Sequence, residues 1–198
     1  MGVSIDDIKK LKELTGIGLT DAKVALVEAK GDFDKALEAL RKKGLTKADK
    51  KSDREAREGV IDSYVHGGRI GVIVEVNCET DFVARLDGFK TFAHEIALQV
   101  AAMSPLYISE GDIPASELER VRKEAKERAV TEGKPADMLD KIVDGQVKKH
   151  FDEKVLLSQT YIKNEKQTVN DFLKENIAIL GENVVIRQFK RIELGVND

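Results

Sequence analysis

A thiol, two carboxylates, a hydroxyl, a phenyl ring and a guanidinium fall within the run Asn77-Cys78-Glu79-Thr80-Asp81-Phe82-Val83-Ala84-Arg85. Residues of these types could supply a nucleophile, a metal site or a surface for insertion into a partner. A Cys78 nucleophile needs a histidine base, and His66, His94 and His150 are scattered along the chain. With one cysteine, the same histidines match no metal-ligand spacing. No Gly-rich phosphate loop ends in Lys-Ser or Lys-Thr, and no dinucleotide fingerprint follows a strand. The chain is therefore not read as an enzyme, and neither a catalytic residue, a metal nor a cofactor is expected. Two readings of the run remain. In the structural one, Thr80 caps the next helix, Asp81 favours the positive end of its dipole, and Phe82 and Val83 pack inward. In the other, the carboxylate of Asp81 and the ring of Phe82 cannot both enter one core, so an exposed Phe82 serves as a wedge for a partner.

The charge balance narrows the class of partner. Across 198 residues, 33 basic side chains face 36 acidic ones, a net charge of −3. That balance argues against a protein built to neutralise nucleic-acid phosphates and leaves protein partners open. Direct nucleic-acid binding is not expected. The single cysteine rules out an intramolecular disulfide and suits a reducing compartment. No apolar run approaches the roughly 20 residues of a membrane helix, so a cytoplasmic location is expected.

The elements that must hold the run in place follow from periodicity. Ser4 and Asp7 have the spacing of a capping box, and Ile5, Ile8, Leu11 and Leu14 recur at helical spacing. Thr15-Gly16-Ile17-Gly18 interrupts that helix. A second carries Ala22, Ala25, Leu26 and Ala29, and a third, capped by Asp32, carries Phe33, Ala36, Leu37 and Leu40 and is expected to stop at Gly44. Residues 1–45 are thus predicted to be a three-helix domain of the ubiquitin-associated type. Ile17 and Leu19 in its first turn are either a binding knob or a hydrophobic staple. Residues 46–58 are read as a basic linker. The wider stretch from Arg41 to Arg57 is read as a solvated segment, with an RNA or acidic-partner contact as the alternative.

From Gly59 the period becomes two. Val60 to His66 and Arg69 to Asn77 flank Gly67-Gly68, predicting a hairpin in which Val65 faces Ile70 and Ile61 faces Val74. A helix with Phe89, Phe92, Ala93, Ile96, Ala97, Val100 and Met103 on one stripe is expected to cover that apolar face. Ser116 and Glu119 are placed to cap a charged helix with Leu118, Val121, Ala125 and Ala129 on a narrow seam. Gly133-Lys134-Pro135 turns the chain into a partner helix carrying Met138, Leu139, Ile142, Val143 and Val147. Residues 116–150 therefore read as a projecting antiparallel helical hairpin. Thr168 and Asp171 open one more helix, Gly181 ends it, and Val184 to Leu194 is a last strand whose alternation slips around Gln188 to Lys190, which suggests a bulge or a strand with both faces partly covered. The fold class is α+β, with residues 59–198 forming a core in which helices pack on a small antiparallel sheet.

Several segments in order carry a family resemblance: Leu11 to Lys23 with its Thr15-Gly16-Ile17-Gly18 turn, Gly67-Gly68-Arg69-Ile70-Gly71, Thr80 to Val83, Gly133-Lys134-Pro135 and Gly181-Glu182-Asn183. In these the chain resembles elongation factor Ts of bacteria over nearly its whole length. The resemblance implies a guanine-nucleotide exchange factor for the translational GTPase elongation factor Tu, met in GDP-bound and nucleotide-free forms. It implies that Thr80, Asp81, Phe82 and Val83 enter the GTP-binding domain and displace Mg²⁺. It makes Ile17, Gly18, Leu19, Thr20 and Lys23 contacts of the N-terminal domain with the same partner. Longer members carry two related core subdomains where this chain has room for one, and the resemblance to short members implies a homodimer. Two other readings stand beside it: an adaptor for ubiquitin-like proteins, from residues 1–44 alone, and an RNA-binding accessory factor, from the basic stretch.

Overall fold

The switch from helical to two-residue periodicity near Gly59 is where the chain passes from helices to a sheet. The structure, a computed structural model, describes residues 3–15 and 17–196, without the side chains of residues 41, 43, 45–47 and 136. Gly16 of the first turn and part of the basic stretch therefore lie outside the described residues. In chain order the elements are α1 (Ile5–Thr15), α2 (Leu19–Glu28), α3 (Phe33–Asp49), β1 (Glu58–His66), β2 (Ile70–Cys78), α4 (Asp81–Ala84), α5 (Asp87–Met103), α6 (Ala115–Thr131), α7 (Leu139–Asp152), β3 (Thr160–Tyr161), β4 (Asn164–Thr168), α8 (Val169–Leu180) and β5 (Val184–Glu193). They form an α+β fold in two compact units, Met1–Leu98 with Asn170–Asp198, and Gln99–Val169.

In the first unit the N-terminal helices build a core of their own. Leu11, Ala22, Ala25, Leu26, Ala36 and Leu40 are buried together, with Ile8, Ile17, Phe33 and Leu37 packed against them. The Ser4 hydroxyl accepts from the Asp6 amide at 3.2 Å, and Asp32 caps α3 by accepting from the Lys35 amide at 3.1 Å. One expectation fails here: α3 does not stop at Gly44 but runs on to Asp49. A Cβ at Gly44 would lie 3.3 Å from the Cβ of Ala178 in α8, so this glycine serves close helix approach rather than termination.

The sheet has the order β1-β2-β5, all antiparallel. Its register differs from the predicted one. His66 pairs with Ile70, Tyr64 with Val72, Asp62 with Val74 and Val60 with Val76. Gly67 and Gly68 do form the turn, both at positive φ, with the Arg69 amide donating to the His66 carbonyl at 2.9 Å. Pairing then resumes at Ile70 rather than at Arg69, which shifts every partner by one residue and changes which side chains share a face. Val72, Val74 and Val76 are buried, whereas Ile61, Val65 and Ile73 project from the opposite face, 73%, 66% and 55% exposed. Ile192 of β5, opposite Gly71, joins them.

Helix α5 covers the valine face. Phe89, Phe92, Ala93, Ile96, Ala97 and Val100 are buried, and His94 reaches Asp62 at 2.8 Å on the β1 side of that face. The Phe92 ring lies 5.3 Å from that of Phe172 on α8. Each of the fully buried Phe, Ile and Val side chains contributes about 1.5–3 kcal/mol of transfer free energy. The bulge in β5 falls at Arg187, between Ile186 opposite Val76 and Gln188 opposite Glu75, one residue before the predicted segment. Gly181, at φ 79°, ends α8 by donating to the Ile177 carbonyl at 3.0 Å.

In the second unit α6 and α7, joined through Gly133, bury a seam of Val121, Ala125, Ala129, Val143, Val147, Phe151 and Val155. Leu118 and Met138, expected on that seam, are 40% and 47% exposed. Ser116 and Glu119 do not start α6. The helix begins at Ala115 after Pro114 without a side-chain cap, and the capping geometry instead belongs to Ser109, whose amide and hydroxyl both reach Asp112 at 2.8 Å. The short β3–β4 ribbon has no counterpart in the sequence reading. Among the described residues, no helix is long and apolar enough to cross a membrane.

Candidate partner-binding site

Strand β2 ends at Cys78, and the chain turns at once into α4, a single helical turn. Thr80 is its N-cap, in extended conformation, and its hydroxyl oxygen accepts from the Val83 amide at 3.4 Å. The turn alternates sharply in burial. Val83 and Ala84 are buried, Asp81 is half-buried, and Phe82 is 77% exposed. Thr80 caps and Val83 packs inward as the structural reading has it, but Phe82 does not pack inward and turns to water instead. Leu86, at 48% exposure, adds apolar surface one turn further on.

Asp81 is not free. Its carboxylate accepts from the Arg85 guanidinium at 2.7 Å across one helical turn. The pair sits at the surface, where such a contact contributes about 0.3–0.5 kcal/mol and exchanges readily for a partner's charge.

Beneath the turn lies a network that links it to the end of α8. The Glu182 carboxylate accepts from the amides of Glu79 and Thr80 through Oε2, at 3.1 and 3.0 Å, and from the Thr80 hydroxyl through Oε1 at 2.6 Å. The Glu79 carboxylate accepts in return from the Asn183 amide at 2.6 Å, with the Arg54 guanidinium 3.6 Å away. The Asn183 side-chain amide donates to the carbonyls of Ser52 and Arg54, at 3.3 and 2.7 Å, and the Lys51 ammonium donates to the Gly181 carbonyl. Cys78, fully buried, donates to the Thr80 carbonyl at 3.2 Å. Burial first, and then the nearby Glu182 carboxylate, push its thiol up to about 11. A thiol so placed is a core side chain, not a nucleophile.

The second set of candidate residues lies at the α1–α2 turn. Gly18 is the N-cap of α2 without a side-chain bond, and the Ala22 amide donates to its carbonyl at 3.0 Å. Ile17 packs against the N-terminal core, whereas Leu19 is half exposed at 51%, and Thr20 and Lys23 point to solvent. The sequence reading missed Val24 and Val27, exposed at 48% and 56% on the same helix. With Thr20 and Lys23 they make an i, i+3, i+4, i+7 stripe, a signal that was present in the spacing.

Residues 45–196 match the family model described as elongation factor TS. Elongation factor Ts of Thermoanaerobacter sp. is 53% identical over 194 residues, 98% of this chain and 95% of the relative. The protein of the same name from Herpetosiphon aurantiacus is 48% identical over 198 residues, all of both chains. A third, from Coprothermobacter proteolyticus, is 47% identical over 196 residues, 98% of this chain and all of the relative. The chain belongs to the elongation factor Ts family. The elongation factor Ts match takes in the whole sheet, α4 and the Glu182 network. Helices α1 and α2 lie outside the matched family model but inside the aligned length of the relatives. As a member of the elongation factor Ts family the chain has a role in translation elongation.

Proposed function

We propose that this protein is a guanine-nucleotide exchange factor that binds elongation factor Tu with GDP, displaces its Mg²⁺ and speeds GDP release so that GTP can rebind. The observation that carries the reading is Phe82, 77% exposed on a turn whose neighbours Val83 and Ala84 are buried. A ring held out of its own core is available to enter another. Phe82 pries apart packed segments near the nucleotide, and Asp81 exchanges Arg85 for a polar contact on the opened partner. Removing Mg²⁺ takes away the charge that neutralises the diphosphate, so GDP leaves faster. Thr80 and Val83 hold the turn from within. Leu19, Thr20 and Lys23, with Gly18 setting the start of α2 and Ile17 anchoring the loop, dock the N-terminal helices on the same partner. The protein works by binding energy alone and catalyses no covalent step.

A homodimer completes this reading. Ile61, Val65, Ile73 and Ile192 leave one face of the sheet apolar and exposed. A second copy packing the same face gives a closed two-fold pair of sheets and removes those side chains from water. The protein acts in the cytoplasm, where the translating ribosomes are.

Linkage tests the exchange reading without kinetics. If the factor weakens GDP binding, GDP must weaken the factor by the same ratio. Calorimetric titration into nucleotide-free Tu is expected to give much tighter binding than titration into Tu with GDP and Mg²⁺. Equal affinity for the two states would contradict exchange activity.

A further inference from the structure

We propose that Glu182 is the positioning residue of the Phe82 turn, an inference that rests on the exchange reading and deepens it. A helix of four residues cannot hold itself, because the cost of nucleation is met by one hydrogen bond. In α4 that bond runs from the Ala84 amide to the Thr80 carbonyl at 3.2 Å, and the cap from the Val83 amide to the Thr80 hydroxyl is long, at 3.4 Å. The turn needs a support from outside.

Glu182 supplies it through three donors. The amides of Glu79 and Thr80 both point at Oε2, which fixes the peptide that leads into the turn. The Thr80 hydroxyl has one proton and gives it to Oε1 at 2.6 Å. With the proton so committed, the oxygen's lone pairs face the Val83 amide, and the cap has a defined direction. Charge-assisted bonds of this kind are shorter and about twice as strong as neutral ones. Glu182 acts through Thr80.

Glu182 is itself held. The return bond from the Asn183 amide to the Glu79 carboxylate at 2.6 Å makes a two-way clasp between residues 79–80 and 182–183. Asn183 and the Gly181 carbonyl extend it to Ser52, Arg54 and Lys51, just beyond the end of α3. The loop after α8 thus ties the Phe82 turn and the segment leaving the N-terminal helices to one point. When Phe82 is driven into a packed partner, the opposing force passes into this clasp. A turn without it yields, and the ring enters less often at the same docking affinity.

The chain has no tryptophan, so Phe82→Trp places a single indole on the turn. In the full-length Phe82→Trp protein, adding Glu182→Gln replaces one carboxylate oxygen by an NH₂ group that cannot accept. Lower indole anisotropy is expected, with far-ultraviolet circular dichroism unchanged. In the protein that retains Phe82, Glu182→Gln is expected to lower the maximal rate of GDP release from Tu about tenfold, the scale of one lost charge-assisted bond. The concentration giving half that rate is expected to stay where it is. Thr80→Val removes the same link from the other side and is expected to match Glu182→Gln, with the double variant no slower than either; Thr80→Ser keeps the hydroxyl and restores the rate. An unchanged anisotropy and maximal rate would overturn the proposal, as would a rise in the half-saturating concentration alone. Should Glu182→Gln fail to fold, the Thr80→Val and Thr80→Ser pair decides in its place. No acceleration by the wild type would sink the exchange reading, and the anisotropy arm would still decide what Glu182 does.

Discussion

At Phe82 exposure follows from the burial of the residues on either side. A single turn bearing Val83 and Ala84 inward must send the side chain at the preceding position outward. The sequence reading reached this conflict because it is local: adjacent polar and aromatic residues in one turn limit where each can point. It did not reach Glu182, whose contact with Thr80 spans 102 positions. Nothing in the spacing of a threonine and a glutamate that far apart marks them as partners. Cys78 shows the reverse case, a chemically capable residue that the fold simply buries. With its thiol buried and pushed up to about 11, it is expected to be inert to a thiol-disulfide reagent at neutral pH in the native protein and to react fully in denaturant. Rapid labelling of the native chain would show that the end of β2 opens.

For elements, what was legible depended on how far the deciding contact lay. Helices α1, α2, α5 and α8 and the three long strands could be placed from period and punctuation, since those are properties of short windows. The end of α3 could not. Gly44 resembles a terminator in sequence, and only the approach of Ala178 reveals its use. The β1–β2 register slipped by one because the turn glycines were counted correctly but Arg69 lies outside the ladder. That slip placed Ile61 and Val65 on the covered face, although they are exposed on the other one, while Val74 is buried as expected. The α6–α7 pair carries a titratable marker of its own. His150 Nε2 accepts from the Lys154 ammonium at 2.9 Å, which requires a neutral ring. Burial first, and then the charge of Lys154, hold the imidazole below its ordinary 6.5. The unfolded chain then takes up the proton first as pH falls, so the stability tied to neutral His150 is complete above pH 6.5 and is lost progressively below it. Urea midpoints from neutral to mildly acidic pH are expected to fall more steeply for the wild type than for His150→Gln. Parallel profiles would contradict that assignment.

For the whole molecule, the exposed sheet face and the exposed Phe82 differ in shape and suit the two different uses proposed for them. Ile61, Val65, Ile73 and Ile192 lie on a regular, extended surface suited to a second copy, whereas Phe82 stands on a short turn suited to insertion. Ile73→Lys would leave an unpaired ammonium in the packed pair, at a cost of several kcal/mol, and is expected to weaken self-association at least about a hundredfold. Sedimentation equilibrium is expected to show a dimer for the wild type and a monomer for the variant. Equal masses would remove that face from the interface. Family membership, the exposed ring and the clasp beneath it converge on one central claim, that Phe82 drives nucleotide release. The most direct test is stopped-flow release of a fluorescent GDP analogue from elongation factor Tu with wild-type protein, with Phe82→Ala, and with neither. Phe82→Ala removes little buried surface, so its thermal midpoint is expected to stay close to that of the wild type. Strong acceleration by the wild type that falls about tenfold or more in the variant, the scale of losing a central aromatic anchor, is the expected result. Equal acceleration by the two proteins would contradict the account.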